Sequence, residues 1–344
     1  MPPIKTQLTT RLNLTSPIIS APMAGVATPE LAAAVTGGGG LGSIGAGYAS
    51  TQVLKEQIQK IRSSLNIPAG ETVPIVVGFL GWILDRTELS DDPRLIAVLD
   101  ERPAAVWFAF GVNLEKYIDQ VHAYNSKTGR NTFIFVIVNS VDDARRAALH
   151  RVDAVVVQGT EAGGHGGADA PPLFVLLAAV LREFETTPGN KPLVIPAGGI
   201  STGAQIAALL AMGAAGVVLG TRFLFTTECG YPAAKKQALI DADLNATVRA
   251  MAFDEVNGTM GWPPNCDGRA IANGIIDDYK AGLSVEDRMA KFAKSAQDGD
   301  NSRLVVWAGV GVGLTDRING AADVLRELHE ETVEYLKRAT RLLA

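Results

Sequence analysis

Cysteine, clusters of basic residues and unbroken hydrophobic runs are all scarce in this sequence. The two cysteines, Cys229 and Cys266, are too few for a disulfide scaffold and lack Cys-x-x-Cys spacing, so we expect both to be reduced and structural. The net charge is −5, and no run of Lys or Arg is present. This balance argues against a nucleic-acid-binding surface and against binding to an anionic membrane. We therefore expect a small-molecule partner, with no nucleic acid and no membrane.

Two uncharged runs, residues 31–54 and 192–221, are long enough to raise the question of a membrane span. Both are interrupted by glycine clusters or proline, where a spanning helix would continue unbroken, and we interpret each as a buried helix next to a buried strand. The first residues lack the apolar core of a signal peptide, and the last residues carry no retention or peroxisomal signal. The expected localisation is cytoplasmic.

Strand-like runs alternate with helix-like segments along most of the chain. The runs are apolar or β-branched, and the segments between them are amphipathic or rich in Ala and Leu. This alternation predicts a parallel sheet with helical crossovers, and eight units predict a closed (β/α)8 TIM barrel. A chain of 344 residues with 47% hydrophobic content can bury such a core. The predicted strands are residues 17–23, 41–46, 73–80, 104–110, 132–139, 153–158, 192–198 and 216–223.

The alternation fails after the eighth predicted strand. Residues 246–300 are longer than a barrel crossover requires and contain several glycines and prolines. We therefore predict a barrel over residues 1–240, an inserted cap or substrate segment over residues 241–303, and a return to the barrel with a C-terminal helix over residues 304–344. Val285, Met289 and Phe292 predict a helix in the insertion that packs through a narrow apolar stripe. Such a helix either docks on the barrel or closes the site.

The segment Gly40-Leu-Gly-Ser-Ile-Gly45 matches the dinucleotide pattern G-x-G-x-x-G letter for letter. That fingerprint requires a strand before the motif, a helix after it and an acidic residue about 20 positions further on. Here a helix precedes the motif, a strand runs through it, and Lys60 stands near the position of the acid. We interpret the glycines as close packing of a strand rather than as a nucleotide site.

Glycine-containing segments follow the seventh and eighth predicted strands, at residues 197–203 and 219–222. In a barrel these two loops commonly hold phosphate, because small residues expose backbone N–H groups and a helix N-terminus adds positive potential. Tight packing at the barrel end would explain either segment alone, whereas the pair in adjacent units favours a phosphate site. After the first strand, Met23 offers a polarisable surface that suits a flat ring, although a methionine there is also typical of core.

His165 is the candidate catalytic residue. It lies in a glycine-rich segment directly after the apolar strand predicted at residues 153–158. A histidine in a glycine-rich loop is by itself typical of a solvated surface, but catalytic groups in a barrel lie at the carboxyl ends of the strands. The remaining histidines show no ligand spacing with it, so no metal site is expected.

Four segments together resemble the nitronate monooxygenase family, formerly called 2-nitropropane dioxygenases. They are Ala21-Pro-Met-Ala-Gly25, Gln158-Gly-Thr-Glu-Ala-Gly-Gly-His165, Ala197-Gly-Gly-Ile200 and Gly220-Thr-Arg-Phe223. The resemblance spans most of the chain. It implies an FMN-dependent barrel with a cap, which oxidises nitroalkanes or alkyl nitronates with O2, the flavin being the redox centre.

The same resemblance assigns roles to individual residues. His165 would be the general base that takes the α-proton of a nitroalkane, or would orient an ionised nitronate, and imidazole suits this role near neutral pH. The FMN phosphate is expected near Gly198, Gly199, Gly220 and Thr221. The flavin ring is expected near Ala21, Pro22, Met23 and Gln158, beside the backbone of Gly163 and Gly164.

The chain departs from the family pattern in two strands. Residues 76–82 lack the Asn that many relatives place near the flavin, and residues 133–139 lack the Lys of some members. Both departures bear on the electronic tuning of the flavin and on the substrate. Phe79, Trp82, Phe110 and Trp262 predict either an apolar pocket larger than a short nitroalkane requires or ordinary core.

Three other functions fit the same residues. One is an NAD(P)H-dependent FMN reductase of an enoyl thioester or quinone, since related barrels share the Ala-Gly-Gly-His segment. Another is a flavin-free, phosphate-binding barrel isomerase or lyase. The last is a barrel that binds a ligand without turnover.

Overall fold

A computed structural model describes residues 1–186, 189 and 191–343 of the protein. In chain order the strands are β1 (Ile18–Ser20), β2 (Gly42–Gly45), β3 (Val73–Leu80), β4 (Pro103–Ala109), β5 (Phe133–Val138), β6 (Ala154–Gln158), β7 (Gly164–Gly167), β8 (Leu193–Ala197), β9 (Val217–Leu219), β10 (Thr247–Ala250) and β11 (Cys266–Ile271). They form an eight-stranded parallel sheet in the order β1-β9-β8-β6-β5-β4-β3-β2 and a three-stranded antiparallel sheet in the order β10-β11-β7.

Most of the helices lie between consecutive strands. The helices are α1 (Gln7–Leu12), α2 (Pro29–Gly37), α3 (Thr51–Ser64), α4 (Gly81–Thr87), α5 (Leu95–Asp100), α6 (Glu115–Thr128), α7 (Val141–Leu149), α8 (Leu173–Thr186), α9 (Gly203–Ala211), α10 (Thr221–Leu224), α11 (Ala233–Ile240), α12 (Ala252–Asn257), α13 (Gly274–Lys280), α14 (Val285–Gln297) and α15 (Ala321–Thr340). Of these, α1 precedes β1, and α13, α14 and α15 follow β11. Short 3₁₀ turns cover Asn301–Arg303, Val310–Leu314 and Arg341–Leu343. Across residues 1–186 and 191–343, no helix combines the length and apolar character that a membrane span requires.

The eight-stranded sheet closes on itself between β1 and the residue that precedes β2. Ile19 pairs with Leu41 in parallel, and the Ser20 N–H donates to the Leu41 carbonyl at 3.1 Å. The sheet is therefore a TIM barrel, as the sequence predicts. Its interior is filled by inward-facing strand side chains such as Trp107, Phe135 and Ile195, and Leu8 of α1 joins this cluster.

The outer helices bury a second apolar layer against the strands. Threonine side chains cap two of these helices: Thr28 caps α2, with Pro29 at its first position, and Thr202 caps α9. The C-terminal helix, predicted within residues 304–344, is α15, which begins at Ala321. It packs against α9 and α2 and so covers the outer wall of the barrel.

Two predicted strands extend too far, for local reasons. The first ends at Ser20, because the Met23 N–H turns back to the Ala21 carbonyl at 2.9 Å. The last ends at Leu219, because the Phe223 N–H donates to the Gly220 carbonyl and a helical turn, α10, begins.

The G-x-G-x-x-G segment lies in and before β2, as predicted. A methyl group at Gly42 would lie 2.0 Å from the Ala32 carbonyl oxygen, and one at Gly45 would lie 2.7 Å from the Ala24 nitrogen. These glycines allow α2 and the loop after β1 to approach the strand.

The second sheet joins a barrel loop to the long segment after the eighth barrel strand, because β7 follows β6 whereas β10 and β11 follow α11. The boundaries at residues 240 and 303 stay a prediction. The insertion helix α14 is present, and its predicted packing face is correct only in part. Phe292 packs against the apolar cluster of α12 and α13 and Val285 is half-buried, but Met289 is exposed. The buried side chains on α14 are Arg288 and Ser295. Arg288 turns inward because it pairs with Glu255 of α12 at 2.6 Å.

Candidate active site

A cavity of about 620 Å³ lies at the carboxyl ends of the barrel strands. In a barrel this end carries the loops that form active sites. Every residue that the sequence predicts for catalysis or cofactor binding lines this one cavity. These residues are Ala21, Pro22, Met23, Gln158, Gly163, Gly164, His165, Gly198, Gly199, Gly220 and Thr221.

The loops after β8 and β9 offer free backbone donors to the cavity. Gly198 and Gly199 have φ angles of 112° and 69°, in the region that favours glycine. The N–H groups of Gly199, Gly220 and Thr221 donate to no other part of the described chain. Unpartnered N–H groups on adjacent loops form an anion-binding concavity, so this end of the cavity can hold a phosphate.

His165 lies on a short strand rather than in the glycine-rich loop that the sequence predicts. β7 pairs antiparallel with β11, and His165 stands opposite Gly268. The prediction of a loop is wrong. Residues 164–167 form a strand only because they pair with β11, which lies far along the chain, and their own sequence does not indicate this partner. The pairing fixes the backbone that carries the imidazole.

The His165 side chain is largely enclosed, with 12% exposed. Its Nε2 atom lies 3.0 and 2.9 Å from the two carboxylate oxygens of Asp254. The indole of Trp262 stacks on the imidazole with ring centroids 3.5 Å apart and planes 10° apart, and the Trp307 ring lies at 4.8 Å. Trp262 therefore contacts the face of the imidazole, and Asp254 contacts its edge at Nε2.

Asp254 is a site residue that the sequence reasoning misses. Its carboxylate is fully buried on α12 and also accepts hydrogen bonds from Thr259 Oγ1 at 2.7 Å and Trp262 Nε1 at 3.1 Å. No Lys or Arg of the described ranges forms an ion pair with it. Its segment, Ala252-Phe-Asp-Glu-Val-Asn257, carries two adjacent acids, and the sequence does not indicate which of them is buried or which residue it contacts.

Gln158 connects β6 to β7 through its side chain. Its amide nitrogen donates to the His165 carbonyl at 3.0 Å, and its amide oxygen accepts from Asn139 Nδ2 at 3.0 Å. Gln158 lines the cavity as predicted, and its amide also holds the strand that bears the histidine.

The wall of the cavity beside His165 is aromatic. Trp262 makes edge contacts with Trp82 at 5.3 Å and Phe110 at 5.7 Å between ring centroids. Together with Phe79, these residues line the cavity, so the pocket interpretation of the four predicted aromatics is correct. Trp307, which the sequence reasoning misses, belongs to the same wall.

None of the described wall residues is Lys, Arg, Asp or Glu. Tyr231, another wall residue, donates its hydroxyl to the Trp307 carbonyl at 3.1 Å, and burial raises the pKa of its phenol. The hydroxyl is therefore neutral near pH 7. The wall around His165 suits an apolar substituent rather than a charged one.

Comparison with known proteins assigns the chain to a family. A family model described as nitronate monooxygenase matches residues 5–331. The chain belongs to the nitronate monooxygenase family. It is 33% identical to a nitronate monooxygenase of Neurospora crassa, over 93% of this chain and 90% of that protein.

Two solved structures are similar in fold to this nitronate monooxygenase family member. FabK from Thermotoga maritima superposes with a TM-score of 0.77 at 26% identity, covering 98% of this chain and 99% of that one. A nitroalkane oxidase from Streptomyces ansochromogenes superposes with a TM-score of 0.76 at 26% identity, covering 96% and 99%. The chain is thus an oxidoreductase of a flavoenzyme family, which supports a flavin cofactor and disfavours the flavin-free isomerase or lyase.

Proposed function

We propose that the chain is an FMN-dependent enzyme that oxidises alkyl nitronates, and the nitroalkanes from which they form, with O2 as electron acceptor. The observation that carries the proposal is that His165 and the unpartnered N–H groups after β8 and β9 meet in one cavity. A proton-transfer group and a phosphate-binding group thus line one space, whose other lining residues are mainly small or aromatic.

The cavity wall fits a flavin mononucleotide. Gly199, Gly220 and Thr221 supply free N–H donors for a terminal phosphate. The dinucleotide-like glycines of β2 are occupied by packing, which favours a mononucleotide. The proposed contacts are Ala21, Pro22, Met23, Gln158, Gly163, Gly164, Gly198, Gly199, Gly220 and Thr221. When bound, FMN would supply the redox chemistry.

His165 is the proposed general base. It would take the α-proton of a neutral nitroalkane, a step that general-base catalysis typically accelerates by about 10²–10⁴-fold. A nitronate arrives already ionised, so with this substrate His165 would only orient the anion. The Trp262 and Trp307 rings cover part of the imidazole, whose side chain is 12% exposed.

The test is anaerobic mixing of the flavin-loaded protein with a nitroalkane, a nitronate and NADH in separate experiments, followed by flavin absorbance. We expect bleaching with the nitronate and the nitroalkane, and recovery of the absorbance when O2 is admitted. A colourless protein that cannot be reconstituted with FMN, or a flavin that neither nitro compound reduces, would contradict the proposal.

The variant His165→Asn separates the two roles of the histidine. It should keep the flavin, lose activity with neutral nitroalkanes and retain part of the activity with nitronates. Equal loss with both substrates would show that His165 does not act by proton abstraction.

The second candidate is an NAD(P)H-dependent FMN reductase of an enoyl thioester or quinone. It is retained because the chain superposes on FabK as closely as on the nitroalkane oxidase. Reduction of the flavin by NADH alone, without reduction by a nitronate, would favour this candidate.

A further inference from the structure

We propose that Asp254 is a positioning residue for His165, which keeps a proton on Nε2 of the imidazole and so reserves Nδ1 as the proton acceptor in the cavity. The inference rests on the proposed function, in which His165 handles the substrate proton. Asp254 lies on α12, in the segment after the eighth barrel strand, whereas His165 lies on β7, which follows the sixth.

The contacts of the two ring nitrogens decide the tautomer. Nε2 lies 3.0 and 2.9 Å from the carboxylate oxygens of Asp254, and an ionised carboxylate only accepts hydrogen bonds. Nε2 must therefore be the donor. Nδ1 makes no hydrogen bond with any residue that the structure describes, and His165 lines the cavity. In neutral imidazole the second nitrogen is an acceptor, so Nδ1 is the basic atom.

The Asp254 carboxylate is surrounded by hydrogen-bond donors. Three donors converge on the carboxylate: His165 Nε2, Thr259 Oγ1 and Trp262 Nε1. The carboxylate is fully buried, and within the described part of the chain no Lys or Arg pairs with it. A buried anion of this kind is compensated when the imidazole beside it becomes a cation.

The proton transfer follows from this arrangement. The α C–H bond of a nitroalkane breaks, its electron pair stays on the nitronate, and the proton goes to Nδ1. The imidazolium then carries protons on both nitrogens and lies against the Asp254 carboxylate, which stabilises it as an oriented carboxylate does in a serine-protease triad. Trp262 limits rotation of the ring, since it stacks on the imidazole and also bonds to Asp254.

Other titratable groups near Asp254 do not compete for this role. Burial raises the pKa of Tyr48 and raises that of the Cys266 thiol to about 12, and the Asp254 charge adds to both shifts. Both groups are therefore neutral near pH 7.

The experiment compares Asp254→Asn with Glu255→Gln. Both substitutions remove one carboxylate from α12, but Glu255 pairs with Arg288 at 2.6 Å and does not contact the imidazole. We expect Asp254→Asn to keep the flavin spectrum, to lose about 10²–10⁴-fold in kcat with neutral nitroalkanes, and to lose less than about tenfold with nitronates. Glu255→Gln should match the wild type in rate with both substrates.

A second measurement needs no turnover and no variant of Asp254. The ¹⁵N spectrum of the wild-type side chain, identified by its absence in His165→Asn, should show neutral imidazole with the proton on Nε2. A proton on Nδ1 would overturn the inference even if Asp254→Asn fails to fold. If His165→Asn behaves as proposed but Asp254→Asn matches Glu255→Gln, the positioning role alone is refuted. If the wild type reacts with neither nitro compound, the proposed function fails, and the ¹⁵N result still decides the tautomer.

Discussion

Gly163 and Gly164 precede His165 and provide a matched pair of substitutions. A methyl group at Gly163 would lie 2.3 Å from the Gly309 nitrogen and 2.4 Å from the Ala308 carbonyl carbon. Both neighbours are backbone atoms, so no side chain can rotate away. Gly164 is the reverse case: its φ is +66°, but no atom lies within 4 Å of an added methyl group. Gly163→Ala therefore tests steric overlap with neighbouring backbone atoms, and Gly164→Ala tests the cost of a positive φ angle.

The structure gives different magnitudes for the two alanine variants. At Gly163 the contact is roughly 1 Å shorter than carbon atoms prefer, so two backbone segments must separate, and overpacking of this kind costs about 1–3 kcal/mol or more. At Gly164 the left-handed conformation costs alanine about 1–2 kcal/mol, partly offset by about 0.4–1 kcal/mol from the less flexible unfolded chain. The unfolded-chain gain is common to both Gly→Ala variants, so we expect Gly163→Ala to be the less stable one, by up to about 2 kcal/mol.

Urea unfolding followed by tryptophan fluorescence measures this difference as a shift of the midpoint at constant slope. Flavin absorbance at each urea concentration reports the state of the cavity. The reciprocal variant Gly309→Ala should resemble Gly163→Ala, because its methyl group would lie 2.7 Å from the Glu161 carbonyl oxygen and 2.8 Å from the Gly163 nitrogen. Equal midpoints for the Gly163 and Gly164 variants would refute the close crossing of these two segments.

Three further predictions concern the same region. Because burial raises the pKa of the Cys266 thiol to about 12, the unfolded chain releases this proton first as pH rises. Above about pH 8.5 this group should lower the free energy of unfolding by about 1.4 kcal/mol per pH unit. Between pH 8 and 10 the urea midpoint of Cys266→Ala should therefore fall less than that of the wild type. Trp262→Phe keeps a ring on His165 but removes the donor to Asp254, worth about 1.5–3 kcal/mol, so calorimetry should show a lower Tm with flavin retained. Gln158→Ala leaves the His165 carbonyl without its donor at a cost of about 1–3 kcal/mol, which should appear as faster hydrogen exchange in β7.

The barrel and the composition of its cavity could be predicted because both depend on local sequence. Apolar runs bounded by glycine and proline locate strands, and the carboxyl ends of parallel strands meet at one end of a barrel. Residues as distant in sequence as Met23, His165 and Gly220 therefore come together once the strand order is known. The ends of strands are less predictable, since Ser20 and Leu219 are followed by turns set by single hydrogen bonds.

The partners of His165 could not be predicted, because they depend on contacts between distant segments. Asp254 lies 89 residues from the histidine in sequence and belongs to no recognisable motif. Trp307 reaches the site from the segment that returns to the barrel. The face of α14 was predicted from apolar spacing, whereas an ion pair to Glu255 turns Arg288 inward.

The pairing of β7 with β11 has a consequence for the order in which the protein folds during synthesis. All eight barrel strands precede β11 in the sequence, so they leave the ribosome before the strand that orders His165 exists. Pairing between distant segments forms slowly, because the intervening chain must first be brought together. We expect the barrel to fold first. His165 is ordered afterwards, when β11 pairs with β7 and the Asp254 carboxylate of α12 contacts the imidazole. During that interval all eight barrel strands would be paired, but His165 would not yet be positioned for proton transfer.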